Sequence, residues 1–459
     1  MTRISGTNLA TASCAMANAL TAGSVFTYPV FSPALQSLLH FSVKQVAATA
    51  SIAILCQYVC AALWGALADR RGSALVSLAA GLSFFLGYMA LSILLSASEP
   101  STPTAPFHIW IAVTLAYSVC GSATGGSYFA AITGATQVFG ISHPGLSIAG
   151  PASLFGLSPL LFTFIGTRLF GHDDQFDVFG YLHMLAGVTL VVNLCGWIGL
   201  PEPARSTILT PSHDSEREPL ISQPTRSHPK TVDAREQSTT CETMSHDVVQ
   251  ANSVARFLTQ PSVWCLGLVV LLTAGPAEMT VSSIGAVADS FISTAPVALK
   301  ARHVQLMSLA NTLTRLGSGW LSDKLCRDSP QASRIRLSFM AFAPMLYATV
   351  CCWIMLGGAK LWLLSITTGI CYGTIFTMAP SIVATTWPMT DFGRNYGIIS
   401  YFAAVGSFAF TFLFGVLFDQ TVQRGSIRLI YGVSGLSELL AVGFTIMLYR
   451  YQHKHEQCR

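Results

Sequence analysis

Residues Gly65 to Gly72 read GALADRRG and lie between two long apolar runs. The order is a small residue, a leucine, an aspartate, two arginines and a glycine. The link is too short to travel far from the surface at which the first run emerges. A weaker copy, Gly319-Trp320-Leu321-Ser322-Asp323-Lys324-Leu325, again joins two apolar runs. Such links in matching places of two halves point to an internally duplicated chain.

The surrounding composition sets the environment. Of 459 residues, 52% are hydrophobic and only 10% charged, and the mean hydropathy is +0.54. A soluble domain carries about 25% charged residues, so the chain reads as an integral membrane protein. A membrane helix needs about 20 mainly apolar residues. On that measure the first half predicts six spans, at 8–30, 45–67, 73–95, 108–132, 145–167 and 179–200. The second half predicts six more, at 264–287, 303–322, 335–356, 361–385, 394–417 and 427–448. The expected fold is all-α, with 12 transmembrane helices in two six-helix bundles, residues 1–200 and 263–459. The stretch 201–262 mixes Ser, Thr, Pro, Glu, Gln and Arg with almost no apolar pattern. It is expected to be a disordered cytosolic linker, because it cannot bury a core.

The cations give an orientation. With twelve spans and a cytosolic N-terminus, 17 of the 25 Lys and Arg fall on the cytosolic side and 7 on the other, with Arg315 inside a span. This asymmetry follows the positive-inside rule and puts both termini in the cytosol. It also puts both aspartate links on the cytosolic face.

Several classes are excluded. No basic patch is interleaved with surface aromatics, so no nucleic-acid partner is expected. Most of the 12 cysteines lie in apolar runs and lack metal-ligand spacing, so neither a metal site nor a disulfide framework is implied. No nucleophile elbow, cofactor loop or G-x-x-x-x-G-K-[ST] phosphate loop occurs, which argues against an enzyme, a cofactor or a self-energised pump.

Six spans, a long polar loop, six spans and a G-x-L-x-D-R-x-G link after the second span together resemble the major facilitator superfamily. The link residues are Gly65, Leu67, Asp69, Arg70 and Gly72, echoed by Gly319, Leu321, Asp323 and Lys324 without the final glycine. Three further stretches resemble the monocarboxylate-transporter-like branch, and within it the fungal monocarboxylate transporter homologue group. They are TYPVFSPALQ (Thr27 to Gln36), Arg315 to Gly319 as R-x-x-x-G, and Ala379-Pro380 followed by Phe392-Gly393-Arg394-Asn395-Tyr396-Gly397. The resemblance implies two pseudo-symmetric bundles and a link that latches them in the outward-open state. The chain departs from the animal members at Val30 and Asn311, where they carry a lysine and an aspartate tied to proton-coupled lactate transport. The branch name is therefore no guide to the cargo here.

The residues then divide by role. Asp69 can accept hydrogen bonds at a neighbouring helix N-terminus, which carries about half a positive charge. Arg70 can pair with carboxylates or lipid phosphates, and Gly65 permits close helix contact. Arg315 lies in mid-span, where a charge faces a cavity or a partner. Its guanidinium can grip a carboxylate with two parallel hydrogen bonds, or form a structural ion pair. Glu278, in Gly275-Pro276-Ala277-Glu278, is the candidate proton site, with Arg315 as a candidate partner, or else a protonated or hydrogen-bonded structural glutamate. Asn311 lies one turn before Arg315 and can bond cargo or simply pack. Glu438 and His183 read as buried structural groups. In the linker, Glu216, Leu220 and Ile221 fit an acidic dileucine pattern read by sorting adaptors. With the family resemblance it favours the vacuolar membrane over the plasma membrane.

The expected function is a secondary or facilitative transporter of a small organic solute, an anion by the Arg315 argument, in which protons can take part. The alternative is a non-transporting solute sensor or receptor on the same fold.

Overall fold

A computed structural model of the chain describes residues 6–96, 107–140, 142–172, 175–202, 253–291, 297–327, 329, 332–418 and 423–457. Met1–Pro203 and Trp264–Arg459 form one compact unit and Ala204–Val263 another. Of the second unit, residues 253–263 are described, and 253–258 are helical within the stretch expected to be linker. Glu216, Leu220 and Ile221 lie outside the described residues.

Among the described residues eleven helical spans are long and apolar enough to cross a membrane. In chain order, six of them precede the linker: Asn8–Leu39, Ala48–Arg71, Ser73–Ser96, Phe107–Phe139, Pro144–Leu169 and Val178–Gly199. After it come Pro261–Phe291, Ala332–Met355, Leu361–Thr386, Met389–Leu417 and Gly425–Lys454. The helix Val297–Cys326 supplies the twelfth span and ranks eighth in order. It falls short on hydropathy because His303, Gln305, Asn311 and Arg315 interrupt its apolar residues. The fold is thus the all-helical, twelve-span one. Among the described residues the departure from helix is a two-residue antiparallel ladder between the fifth and sixth spans, Gly171–His172 with Gln175–Phe176.

Local chemistry sets the ends. The first span runs nine residues beyond the predicted boundary, through a 3-10 turn at Gly23–Thr27 into a further helix, Tyr28–Leu39. Pro29 stands in the first turn of that helix, where a missing N–H costs nothing, so the chain bends without breaking. Ser42 and Gln45 form a reciprocal capping box that starts the second span. Asp177 caps the sixth by accepting from the Gly180 N–H at 2.9 Å.

Each half has its own core. In the first half Phe84, Tyr88, Tyr117 and Tyr181 pack at its centre, and the Tyr88 and Ser24 hydroxyls share a hydrogen bond at 2.9 Å. In the second, Tyr347 and Tyr431 pack with Val287 and Leu364, and the Thr280 hydroxyl meets that of Tyr347 at 2.7 Å. The outer surface is apolar instead: Ile198 is 82% exposed and Phe408 67%. Large apolar side chains turned outward suit lipid, which is as apolar as they are.

The halves meet along two symmetry-related pairs. The second span packs on the eleventh, and the fifth on the eighth. Glycines permit both approaches. A Cβ on Gly65 would collide with the backbone carbonyl of Gly393, and one on Gly393 would lie 2.6 Å from the Gly65 oxygen. A Cβ on Gly319 would lie 2.9 Å from the Gly145 oxygen.

Candidate functional site: two aspartate caps and a central aromatic cavity

Asp69 ends the second span and caps the eleventh. Its two carboxylate oxygens accept from the N–H groups of Gly393 at 2.9 Å and Arg394 at 2.8 Å. Those N–H groups belong to the first turn of a helix, where no intrahelical acceptor exists, and the helix dipole adds to the attraction. Asp323 repeats the arrangement. It ends the eighth span and accepts from Gly145 at 2.8 Å and Leu146 at 2.7 Å, in the first turn of the fifth. Each half thus lends one aspartate to a helix of the other.

The two caps differ in their cations. Arg336 is 1% exposed, and its Nη2 donates to Asp323 at 3.2 Å. Asp69 has no ion pair among the described residues. The nearby Arg394 pairs with Asp391 at 3.0 Å. Arg70 and Arg71 are exposed and form no ion pair among the described residues. Gly72 closes the link at φ 87°, a left-handed conformation that favours glycine, with its N–H on the Ala68 carbonyl.

Arg315 points inward rather than to the membrane surface, and is 2% exposed. Its Nε donates to Asn311 Oδ1 at 2.8 Å, and its Nη1 donates to the Ala152 carbonyl of the fifth span at 3.1 Å. The guanidinium carbon lies 5.7 Å from the Tyr372 ring centroid and 5.6 Å from that of Phe376. Among the described residues no carboxylate is within ion-pair distance of it. The expected Glu278–Arg315 pair is therefore corrected: Glu278 accepts from the Tyr58 hydroxyl of the second span at 3.2 Å instead. A tyrosine hydroxyl satisfies a buried carboxyl without bringing in a second buried charge.

Arg315 lines a cavity between the halves. Its walls include Phe26, Tyr58, Tyr128 and Phe155 from the first half, and Tyr372, Phe376 and Tyr396 from the second. Asn311 orients the arginine and is not a lining residue. Glu438 is fully buried, with Thr273 as its polar neighbour. It is not in the cavity wall. His183 bonds Ser92 at 3.0 Å inside the first half.

The sequence reading did not single out the aromatic wall, nor Ala152, Gly145, Gly393 or Arg336 as partners. Tyr372 and Phe376, four apart on one helix, carry the one local sign: a pair on a shared face. The remaining partners come from other spans, and no spacing in the chain announces them.

The comparisons with known proteins agree with this architecture. Residues 13–411 match the family model described as Major Facilitator Superfamily. The chain is similar to "Probable transporter MCH1" of Gibberella zeae, at 28% identity over 89% of this chain and 80% of that protein. It is similar to the protein of the same name in Saccharomyces cerevisiae, at 23% identity over 89% of this chain and 84% of the other. Among solved structures it resembles the proton:xylose symporter XylE, with a TM-score of 0.68, 12% identity, and coverage of 95% of this chain and 94% of that one. FucP in its outward conformation follows, with a TM-score of 0.62, 12% identity, and coverage of 95% and 97%. These two likenesses concern the fold alone. The relatives are named as transporters rather than enzymes. With a family match spanning most of its length, the chain belongs to the major facilitator superfamily.

Proposed function

We propose that the protein is a secondary transporter of a small organic anion, working by alternating access between its two six-helix halves. The observation that carries this is Arg315. A guanidinium buried to 2% exposure, with no carboxylate within ion-pair distance among the described residues, leaves a positive charge facing the cavity. Such a charge is costly unless paired, and a guanidinium stays protonated at any physiological pH. A cargo carboxylate completes the pair with bidentate geometry. The Asn311 and Ala152 contacts fix the fork in place beforehand, which lowers the ordering cost of binding.

Glu278 serves in this reading as the proton site. Its hydrogen bond to Tyr58 crosses between the halves, so the proton state of the carboxyl bears on how they close. Asp69 and Asp323 serve as the latch. Each holds one helix N-terminus of the opposite half, and both must release for the cytosolic end to open. Cytosolic termini follow from the cation asymmetry, and a vacuolar membrane location from Glu216, Leu220 and Ile221 acting as a sorting signal for an adaptor.

The test is uptake by the purified full chain in proteoliposomes under an imposed proton gradient, with a panel of carboxylates and their uncharged amides. Carboxylates are expected to accumulate and amides not to. Binding without flux across the whole panel would instead leave the protein as a solute sensor on the transporter fold.

A further inference from the structure

We infer that the cargo is an aromatic carboxylate whose ring bears a hydrogen-bond donor. The inference rests on the anchor role of Arg315 proposed above and goes beyond it to the body of the molecule. Eight of the 13 residues lining the cavity are aromatic, in a chain with 10% aromatic residues overall. None of the 13 is Leu, Ile, Val or Met, although such residues fill both half-cores. A pocket for an aliphatic chain needs only apolar volume, which branched side chains supply. Rings add a quadrupole, negative on the face and positive at the edge, which favours edge-to-face or offset contact with another ring.

The rings are arranged for such contact. On one wall Tyr372 and Phe376 stand 4.6 Å apart at 45° and receive the Arg315 guanidinium near their rings. On the other, Tyr128 and Phe155 stand 4.7 Å apart at 41°, and Phe26 meets Phe155 edge-on at 87°. The cavity holds about 40 Å³ in this conformation, so a ring carried by a carboxylate on Arg315 enters between walls from both halves when these part, and the walls share its surface when they close.

A second, independent observation concerns polarity. The Gln57 Oε1 lies in the cavity wall, is buried, and has no hydrogen-bond partner among the described residues. The Tyr128 hydroxyl in the same wall interacts with Arg315 and Tyr396. Buried polar atoms are ordinarily paired. An acceptor left open beside an aromatic wall calls for a polar substituent on the ring, and a donor such as a phenolic hydroxyl or an aryl amine satisfies Gln57 Oε1.

The experiment measures binding to the purified full chain by titration calorimetry, using 4-hydroxyphenylacetate, phenylacetate, cyclohexylacetate, acetate and 4-hydroxyphenylacetamide. Phenylacetate is expected to bind roughly 3- to 10-fold more tightly than cyclohexylacetate, the range of aromatic pair contributions, and the 4-hydroxyl to tighten it further. Phe376→Leu is expected to erase the phenyl-over-cyclohexyl preference while keeping carboxylate over amide. Because the first comparison uses the unaltered protein, it stands even if the variant fails to fold. Equal binding of phenylacetate and cyclohexylacetate would overturn the inference, as would binding of acetate with no binding of either ring acid. Both outcomes leave the Arg315 anchor intact. An amide that binds as well as its acid would sink the anchor itself, and a chain that binds none of the probes would sink both readings.

Discussion

The capped end and the central cavity of this molecule treat its internal duplication in opposite ways. At the capped end, Asp69 and Asp323 do the same thing at corresponding places, each accepting from the second and third residues of a helix in the other half. In and around the cavity the symmetry is gone. Arg315 and Glu278 both belong to the second half, while the first half answers with a carbonyl at Ala152 and a hydroxyl at Tyr58. In the proposed function the difference follows from the tasks: closing one end asks the same geometry of both halves, so two like devices serve, whereas a cargo with one charged end needs one cation in one half.

The sharpest break in this comparison lies inside the aspartate pair itself, because among the described residues Asp323 also neutralises a buried arginine and Asp69 does not. Asp323→Asn leaves the Arg336 charge unpaired, a loss of about 3 kcal/mol or more. We expect a clear drop in the melting temperature of the purified protein, together with opening between the fifth and eighth spans in spin-label distance measurements. If Asp323→Asn proves no more damaging than Asp69→Asn, the ion pair to Arg336 contributes nothing.

Next in size is Arg315→Ala. Losing hydrogen bonds to a charged partner costs about 1.5–3 kcal/mol, so anion affinity should fall roughly 10- to 150-fold while the protein stays folded. Arg315→Lys should recover part of the affinity, since charge is kept and the fork is lost. Unchanged uptake in Arg315→Ala would remove the cavity's claim to bind cargo through this residue.

Asp69→Asn comes third. It weakens two contacts at one helix N-terminus, about 1–2 kcal/mol, without stranding a buried cation. The expected readout is a partial shift toward separation of the second and eleventh spans at unchanged melting temperature. The smallest effect is expected at Tyr58→Phe, which removes one hydrogen bond to Glu278, about 1 kcal/mol. It should alter the pH dependence of uptake only modestly. Glu278→Gln should flatten that dependence, and a retained pH profile would dismiss Glu278 as the proton site.

Much of the fold was legible in the chain because lipid imposes a simple rule: backbone polar groups must be satisfied within each helix, so long apolar runs become spans. The eighth span shows where that rule thins. Polar residues from His303 to Arg315 lower its hydropathy, and its counterpart links and the six-plus-six count identify it instead. Of the candidate site, Asp69, Asp323 and Arg315 could be singled out because a charge at the end or middle of a span needs a reason. Their partners could not. Gly393, Gly145, Ala152 and Arg336 are joined to them by packing between distant segments, and backbone N–H and C=O groups leave no mark in a sequence. The Glu278–Arg315 pairing failed for the same reason: charge attraction alone says nothing of Tyr58, a residue of the second span whose hydroxyl takes up the carboxyl.

The GALADRRG stretch marks the division. By itself the sequence determined that these eight residues join two membrane helices, that a copy occurs in the second half, and that an aspartate there has business at a helix end. Which helix each aspartate holds, that Arg336 backs only one of them, and that the cavity between the halves is walled by rings were decided only when the helices packed. Periodicity and charge act along the chain, whereas a carboxylate finds its N–H donors, and a cavity its walls, through contacts between residues hundreds of positions apart, such as Asp69 and Gly393.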